Sequence, residues 1–364
     1  MAAVSASLFV GTLAVGSSPA AAAVFEVSTT ADGGAGSLRD AFAQASVSGE
    51  ANEIVLEAGA TYVLDDCGGG DLDYTATDPL AITGNGATIE QTCDERVIDT
   101  DGDITITEAT VRGGNEVGGF GGGIAADTAD ITLIRSTVTD NESSIGAGLG
   151  AIRATLVDST VWGNVASSTG GGVWVDQTLD ATNSTITGNS AGTGGGGIVV
   201  VNTSITLLYV TVVGNTAPLG ANVQAQSGSD ALVSFASVIA GPLGGGTDCD
   251  IDDGAVTTSQ GYNFDSDGSC GFGAGPGDIS SGGDPVVGPL GANGGSTLTR
   301  VPQADSPLID KVDCTAAPEL VPADQRGVPR PQGSACEIGA VEVEVDTPST
   351  PDEPSGLPPL RFTG

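Results

Sequence analysis

The chain has 364 residues, 46 acids against ten bases, a formal net charge of −36 and no histidine. The missing histidine excludes Ser-His-Asp and Cys-His catalysis and histidine-ligated zinc. So acidic a surface repels nucleic-acid phosphates and anionic headgroups, and suits a saline or calcium-rich habitat.

Residues 4–23 read as an export signal. Leu8-Phe9-Val10 and Leu13-Ala14-Val15 form an apolar core, and Ala20 to Ala23 offers an Ala-x-Ala cleavage site, so the mature chain starts near Val24. No basic residue precedes Arg39, which is unusual for such a signal. An N-terminal cap is expected over 24–50. Within it, Gly36 to Ala45 predicts a short helix with Ser37 as N-cap and Leu38, Ala41, Phe42 and Ala45 on one face.

From residue 51 to 240 the chain repeats. A Thr-aliphatic pair runs to Asn in five places: Thr110-Val111 to Asn115, Thr137-Val138 to Asn141, Thr160-Val161 to Asn164, Thr185-Ile186 to Asn189 and Thr211-Val212 to Asn215. A period of about 25 residues marks a solenoid. Six and four places before each Thr stand apolar files, Ile104/Ile131/Ala154/Leu179/Ile205 and Ile106/Leu133/Leu156/Ala181/Leu207. Alternate strand residues share a face, so these files point inward together. A third short strand follows a glycine corner, as in Val173-Trp174-Val175. The fold class is therefore all-β, a right-handed single-stranded parallel β-helix with an N-terminal capping helix and a disulfided C-terminal cap. Asn141, Asn164, Asn189 and Asn215 are expected to stack as an amide ladder. The corner before Asn115 holds one extra residue and should bulge. Glu108, Arg135 and Asp158 share a column and should stack with alternating charge.

Six cysteines in an exported chain suggest three disulfides. Nearest-neighbour pairing gives Cys67–Cys93, Cys249–Cys270 and Cys314–Cys336, one of 15 possible pairings. Coils and cap are expected to continue over 241–345. From Asp346 a Pro-rich linker follows, ending in Leu360-Arg361-Phe362-Thr363-Gly364, which resembles a sortase sorting signal with Arg361 in place of proline.

Candidate binding residues are few. Trp162 and Trp174 should face outward, as aromatic platforms for sugar or under the cover of a corner loop, and Arg112 shares the Trp162 column; glycan is expected on the outer wall near Trp162. Asp99, Asp101 and Asp103, and Asp250 and Asp252, place oxygens at alternate positions around turns, which suits calcium. Neither stretch completes a twelve-residue calcium loop. No acidic pair in the central coils suits glycosidase chemistry.

Gly121-Gly122-Gly123-Ile124 with Val138-Thr139-Asp140-Asn141 resembles the repeats of polymorphic outer-membrane proteins. Gly36-Ser37-Leu38-Arg39-Asp40-Ala41, Gly261-Tyr262-Asn263-Phe264, Asp324-Gln325-Arg326-Gly327, Arg330-Pro331 and Cys336 to Glu342 resemble the choice-of-anchor class of secreted, pectin-lyase-like β-helix proteins. The resemblance implies export, a surface location and the β-helix; it carries no catalytic residue. The expectation is a cell-surface glycan-binding protein or adhesin without catalysis, binding polysaccharide and no nucleic acid, with no transmembrane span in the mature chain. The alternative is a calcium-dependent polysaccharide lyase.

Overall fold

A computed structural model describes residues 22–226, 232–252 and 255–344. The expected export signal, except for its last two residues, and the Pro-rich tail lie outside the described residues. The chain forms a parallel β-solenoid of about nine turns. Each marker strand pairs in register with the next: Thr137–Thr139 with Thr160–Trp162, then Thr185–Thr187 and Thr211–Val213. The expected apolar files are the core. Ile131, Leu133, Val138, Leu156, Val161, Leu179, Ile186 and Ile205 are all sealed from solvent. Each such side chain contributes about 1.5–3 kcal/mol gross, and no coil completes its core without its neighbours.

The N-terminal end is closed by the helix Leu38–Ala45, with Ser37 accepting from the Asp40 amide and Leu38, Ala41, Phe42 and Ala45 buried. The three disulfides join Cys67 to Cys93, Cys249 to Cys270 and Cys314 to Cys336.

Both corners flanking the marker strand are built from polar files. After it, Asn141, Asn164, Asn189 and Asn215 bond in series through their side-chain amides at 2.9–3.0 Å. The series continues into Asn222 and ends on Asp248. Asn115 stands outside it, bonded to Asp94, and Gly114 donates to Asn141 in its place. Before the marker strand runs a file in left-handed conformation: Asn85, Glu108, Arg135, Asp158, Asn183, Tyr209, Ala236 and Tyr262, with φ between 46° and 57°. Non-glycine residues there cost about 1–2 kcal/mol each. The turn holds because a serine follows at several rungs. Ser159 Oγ accepts from the Ser136 amide, and Ser184 Oγ from the Ser159 amide. Arg135 pairs with Glu108 at 2.8 Å on this corner.

Two features differ from the three-strand coil. A fourth short strand precedes the glycine corner, giving a second sheet of Asn115–Phe120, Glu142–Ile145, Val165–Thr169 and Ser190–Ala191. The second difference begins near residue 286, where the chain leaves the stack and its bridges turn antiparallel. Residues 286–344 run back along the outer face of the marker wall. Thr160 Oγ1 donates to the Leu298 carbonyl, Thr185 Oγ1 to Gln325 Oε1, and the Ala340 amide donates to Thr211 Oγ1. The marker threonines thus carry the hydroxyls on which this strap lies.

Candidate functional site

The wall that follows the glycine corner carries one outward file of mixed chemistry. Successive rungs place Asp73, Asp99, Ala125, Gly150, Trp174, Val199, Gln224 and Asp250 side by side. Strand alternation sets this face: Val173 and Val175 are buried, and Trp174 between them is half-buried. Phe120, at the end of Asn115–Phe120, meets Trp174 edge to face, with ring centroids 5.1 Å apart at 85°. Its ring lies over Gly150, where a Cβ would come within 2.5 Å of it. Glycine at that rung is what lets the aromatic pair close on the wall.

Three rungs from Trp174, about 14 Å along the file, lies an acidic group. Asp71, Asp73 and Asp99 each bring one carboxylate oxygen within 4.8 Å of the others. These three are the residues that could hold a cation. Arg96 already sits among them, with Nη1 3.1 Å from Asp99 and Nε 3.3 Å from Asp71 and 3.9 Å from Glu116. Burial, and then the neighbouring Asp73 charge, pushes the Asp71 carboxyl up to about 6; burial raises Asp99 as well. Arg39 donates to the carbonyls of Gly69, Gly70 and Asp71, tying the loop that presents Asp71 to the capping helix.

A raised carboxyl binds its proton more tightly folded than unfolded. The resulting stability is full below the ordinary aspartate range and is lost as pH rises through about 6. Asp71→Asn is therefore expected to raise stability at pH 8 by about 1–2 kcal/mol, after discounting for partial exposure, and to change little at pH 4. Thermal midpoints of the two proteins at both pH values check this. A lower midpoint for the variant at pH 8 refutes it.

The remaining expected residues are placed apart. Asp101 and Asp103 do not join the trio; Asp103 accepts from the Asp130 amide. Asp250 accepts from Gln224, and with Asp252 it gathers no third carboxylate among the described residues. Arg112 pairs with Glu90 at 2.7 Å on the marker wall. Trp162 lies two rungs beyond Arg112 in that column. It is half-buried, and its indole Nε1 is enclosed without a hydrogen-bond partner. The rungs beside it are held by the strap, through Leu298 on Thr160 and Arg300 on Thr187. Trp162 and Trp174 therefore occupy different walls. Sequence reading missed Phe120, Asp71, Asp73 and Arg96 as neighbours of Asp99 and Trp174. Their only signal was the repeat phase carried back to the first coils, where the Thr–Asn marker is absent. No family model, curated protein or solved structure matches the chain.

Proposed function

We propose that this protein is an exported, cell-surface β-helix that binds neutral or weakly charged glycan along the Trp174 wall and catalyses no reaction. The observation that carries the reading is the half-buried Phe120–Trp174 pair on the outer face of this wall, three rungs from the Asp71–Asp73–Asp99 group, with the small residues Ala125 and Gly150 buried on the rungs between them. An aromatic face beside hydroxyl-binding carboxylates is the chemistry that sugar rings require. Disulfides fit an extracellular protein, and no helix among the described residues is long and apolar enough to cross a membrane. The choice-of-anchor resemblance supports the same location, with residues 1–23 as export signal, 24–50 as cap and 346–364 as linker to a surface anchor. Calcium at the Asp71 group would serve to bridge sugar hydroxyls.

The lyase alternative requires a basic group free to take a proton. Arg96 is the arginine at the acidic group, and its guanidinium is engaged by Asp71, Asp99 and Glu116. The binding reading is therefore preferred.

Calorimetric titration with cell-wall and plant polysaccharides tests it on the parent, Trp174→Ala and Trp162→Ala. Trp174→Ala is expected to weaken binding about tenfold or more, the loss of one aromatic stacking platform, and Trp162→Ala to leave it within about twofold. Equal binding by the parent and Trp174→Ala, or none by either, overturns the reading. Chelator-sensitive release of unsaturated product, followed by absorbance, would install the lyase instead.

A further inference from the structure

We propose that the strap formed by residues 286–344 is locked to the solenoid by a single proton held on the buried Glu337–Glu342 pair, and that loss of this proton releases it.

At the seam Leu308, Val312 and Ile338 of the strap share an apolar cluster with Tyr209, Phe235 and Val238 of the solenoid, and beside it the lock is a small set of charges. Arg330 is the rivet. Its side chain is 1% exposed; Nη1 donates to Glu342 and Nη2 to Asn183 Oδ1, with the guanidinium 4.1 Å above the Tyr209 ring. Asn183 and Tyr209 belong to the left-handed file of the solenoid, so Arg330 joins the two bodies directly. Glu342 is fully buried and also accepts from the amides of Glu337 and Gln332.

Glu337 is the imbalance. It is 1% exposed, and its Oε2 is enclosed with no hydrogen-bond partner. The other charges facing this cluster do not balance it. Asp324 is matched by Arg326 at 2.8 Å. Asp310 and Asp313 are acids, and Lys311, between them, has no carboxylate within 4.0 Å among the described residues. Asp158, across the seam on the wall, adds another acid. Tyr209 is held in its neutral form by burial, pushed up to about 12. Arg330 pairs with Glu342, no ion pair among the described residues reaches Glu337, and two adjacent buried carboxylates beside one cation would leave a net charge sealed from water. One proton removes it. Burial, and then the adjoining Glu342, pushes the Glu337 carboxyl up to about 8.

The direction follows. Glu337 binds its proton more tightly in the docked state than in the released one. The stabilisation is full below the ordinary glutamate range and disappears as pH rises through about 8. Docking is thus firmest in acidic media and weakens progressively as pH approaches about 8. Alkaline media free the strap and uncover the file of Thr160, Thr185 and Thr211.

Hydrogen exchange of the full chain between pH 6 and 9.5, corrected for intrinsic exchange, reads this directly. Strap amides are expected to lose protection as pH rises from 6 to about 8, by up to about tenfold per pH unit, the limit for one linked proton, and to level off above it. Solenoid amides at Val161, Ile186 and Val212 are expected to keep theirs. In Glu337→Gln, which keeps the shape of the neutral acid, strap protection is expected to stay flat. Unchanged strap protection in the parent up to pH 9.5, or the same fall in Glu337→Gln, overturns the proposal. An independent reading needs no variant: the infrared band of a protonated carboxyl is expected to persist in the parent at pH 7 and vanish by pH 9.5. Its absence at pH 7 also overturns the proposal.

Discussion

Arg330→Met is expected to cost about 3–5 kcal/mol, more than any other surface-to-strap substitution in this chain. Removing one partner of a buried ion pair leaves the other charge without compensation, and that cost exceeds the net worth of the pair. Here the loss falls on Glu342, which is fully buried and has Arg330 as its cation. It also removes the bond to Asn183 Oδ1 and the cation–π contact with Tyr209. The damage should be local. The solenoid core holds no strap residue in its main apolar cluster, so the far-ultraviolet β signal is expected to persist. Urea titration followed by strap-specific exchange should show an early transition absent from the parent. Adding Glu342→Leu to Arg330→Met is expected to recover part of the loss, because no buried charge then remains to be compensated. A single transition at the parental midpoint in Arg330→Met would remove the strap from this role.

The comparison between sequence and structure divides along local and non-local lines. The inward files were legible because Ile131, Leu133 and Val138 recur in phase with Ala154, Leu156 and Val161, and a parallel stack has few other ways to bury them. The capping helix was legible from Ser37 and the Leu38, Ala41, Phe42 and Ala45 stripe. Glycine was only half read. Gly170 has a positive φ, as a corner requires, but Gly172 does not; a Cβ there would lie 2.6 Å from the Gly197 carbonyl of the next coil and 3.0 Å from Asn189 Nδ2, so its smallness serves the close stacking of coils and the ladder. The left-handed file was hidden because Glu108, Arg135 and Tyr209 are not residues that announce such a turn. The strap was hidden for a different reason. Gln325 meets Thr160 and Thr185 across some 140–165 residues of sequence, and no periodicity connects them. The candidate site was hidden because its partners come from different coils: Phe120 closes on Trp174 from another coil and Asp71 meets Asp99 from the coil before.

Asn189→Ala is expected to destabilise the solenoid by about 4 kcal/mol. The side chain works in both directions along the stack. Its Oδ1 accepts from the Asn164 amide at 3.1 Å and from Asn164 Nδ2 at 2.9 Å. Its Nδ2 donates to Asn215 Oδ1 and to the Val161 carbonyl, both at 3.0 Å. Alanine offers none of these, and water cannot replace them at a corner where Asn164, Asn189 and Asn215 are all fully buried. The Asn164 amide would be left without a partner, at a cost of about 1–3 kcal/mol, and the bonds to Asn164 Nδ2, Asn215 Oδ1 and the Val161 carbonyl would be lost as well. Asn189→Asp should be nearly as damaging, since it keeps the acceptor but loses both donors and adds a charge in a sealed site. Asn115→Ala is the internal control. It alters the asparagine one place beyond the ladder position, opposite Glu142 rather than Asn141; Asn115 is half-buried and bonds to Asp94 outside the ladder, so a loss below about 1 kcal/mol is expected. Urea midpoints of the three variants against the parent decide the matter. Equal losses at Asn115 and Asn189 would mean that the corner asparagines act singly, through local turn geometry, and that the stacked amides add nothing to the cohesion of successive coils.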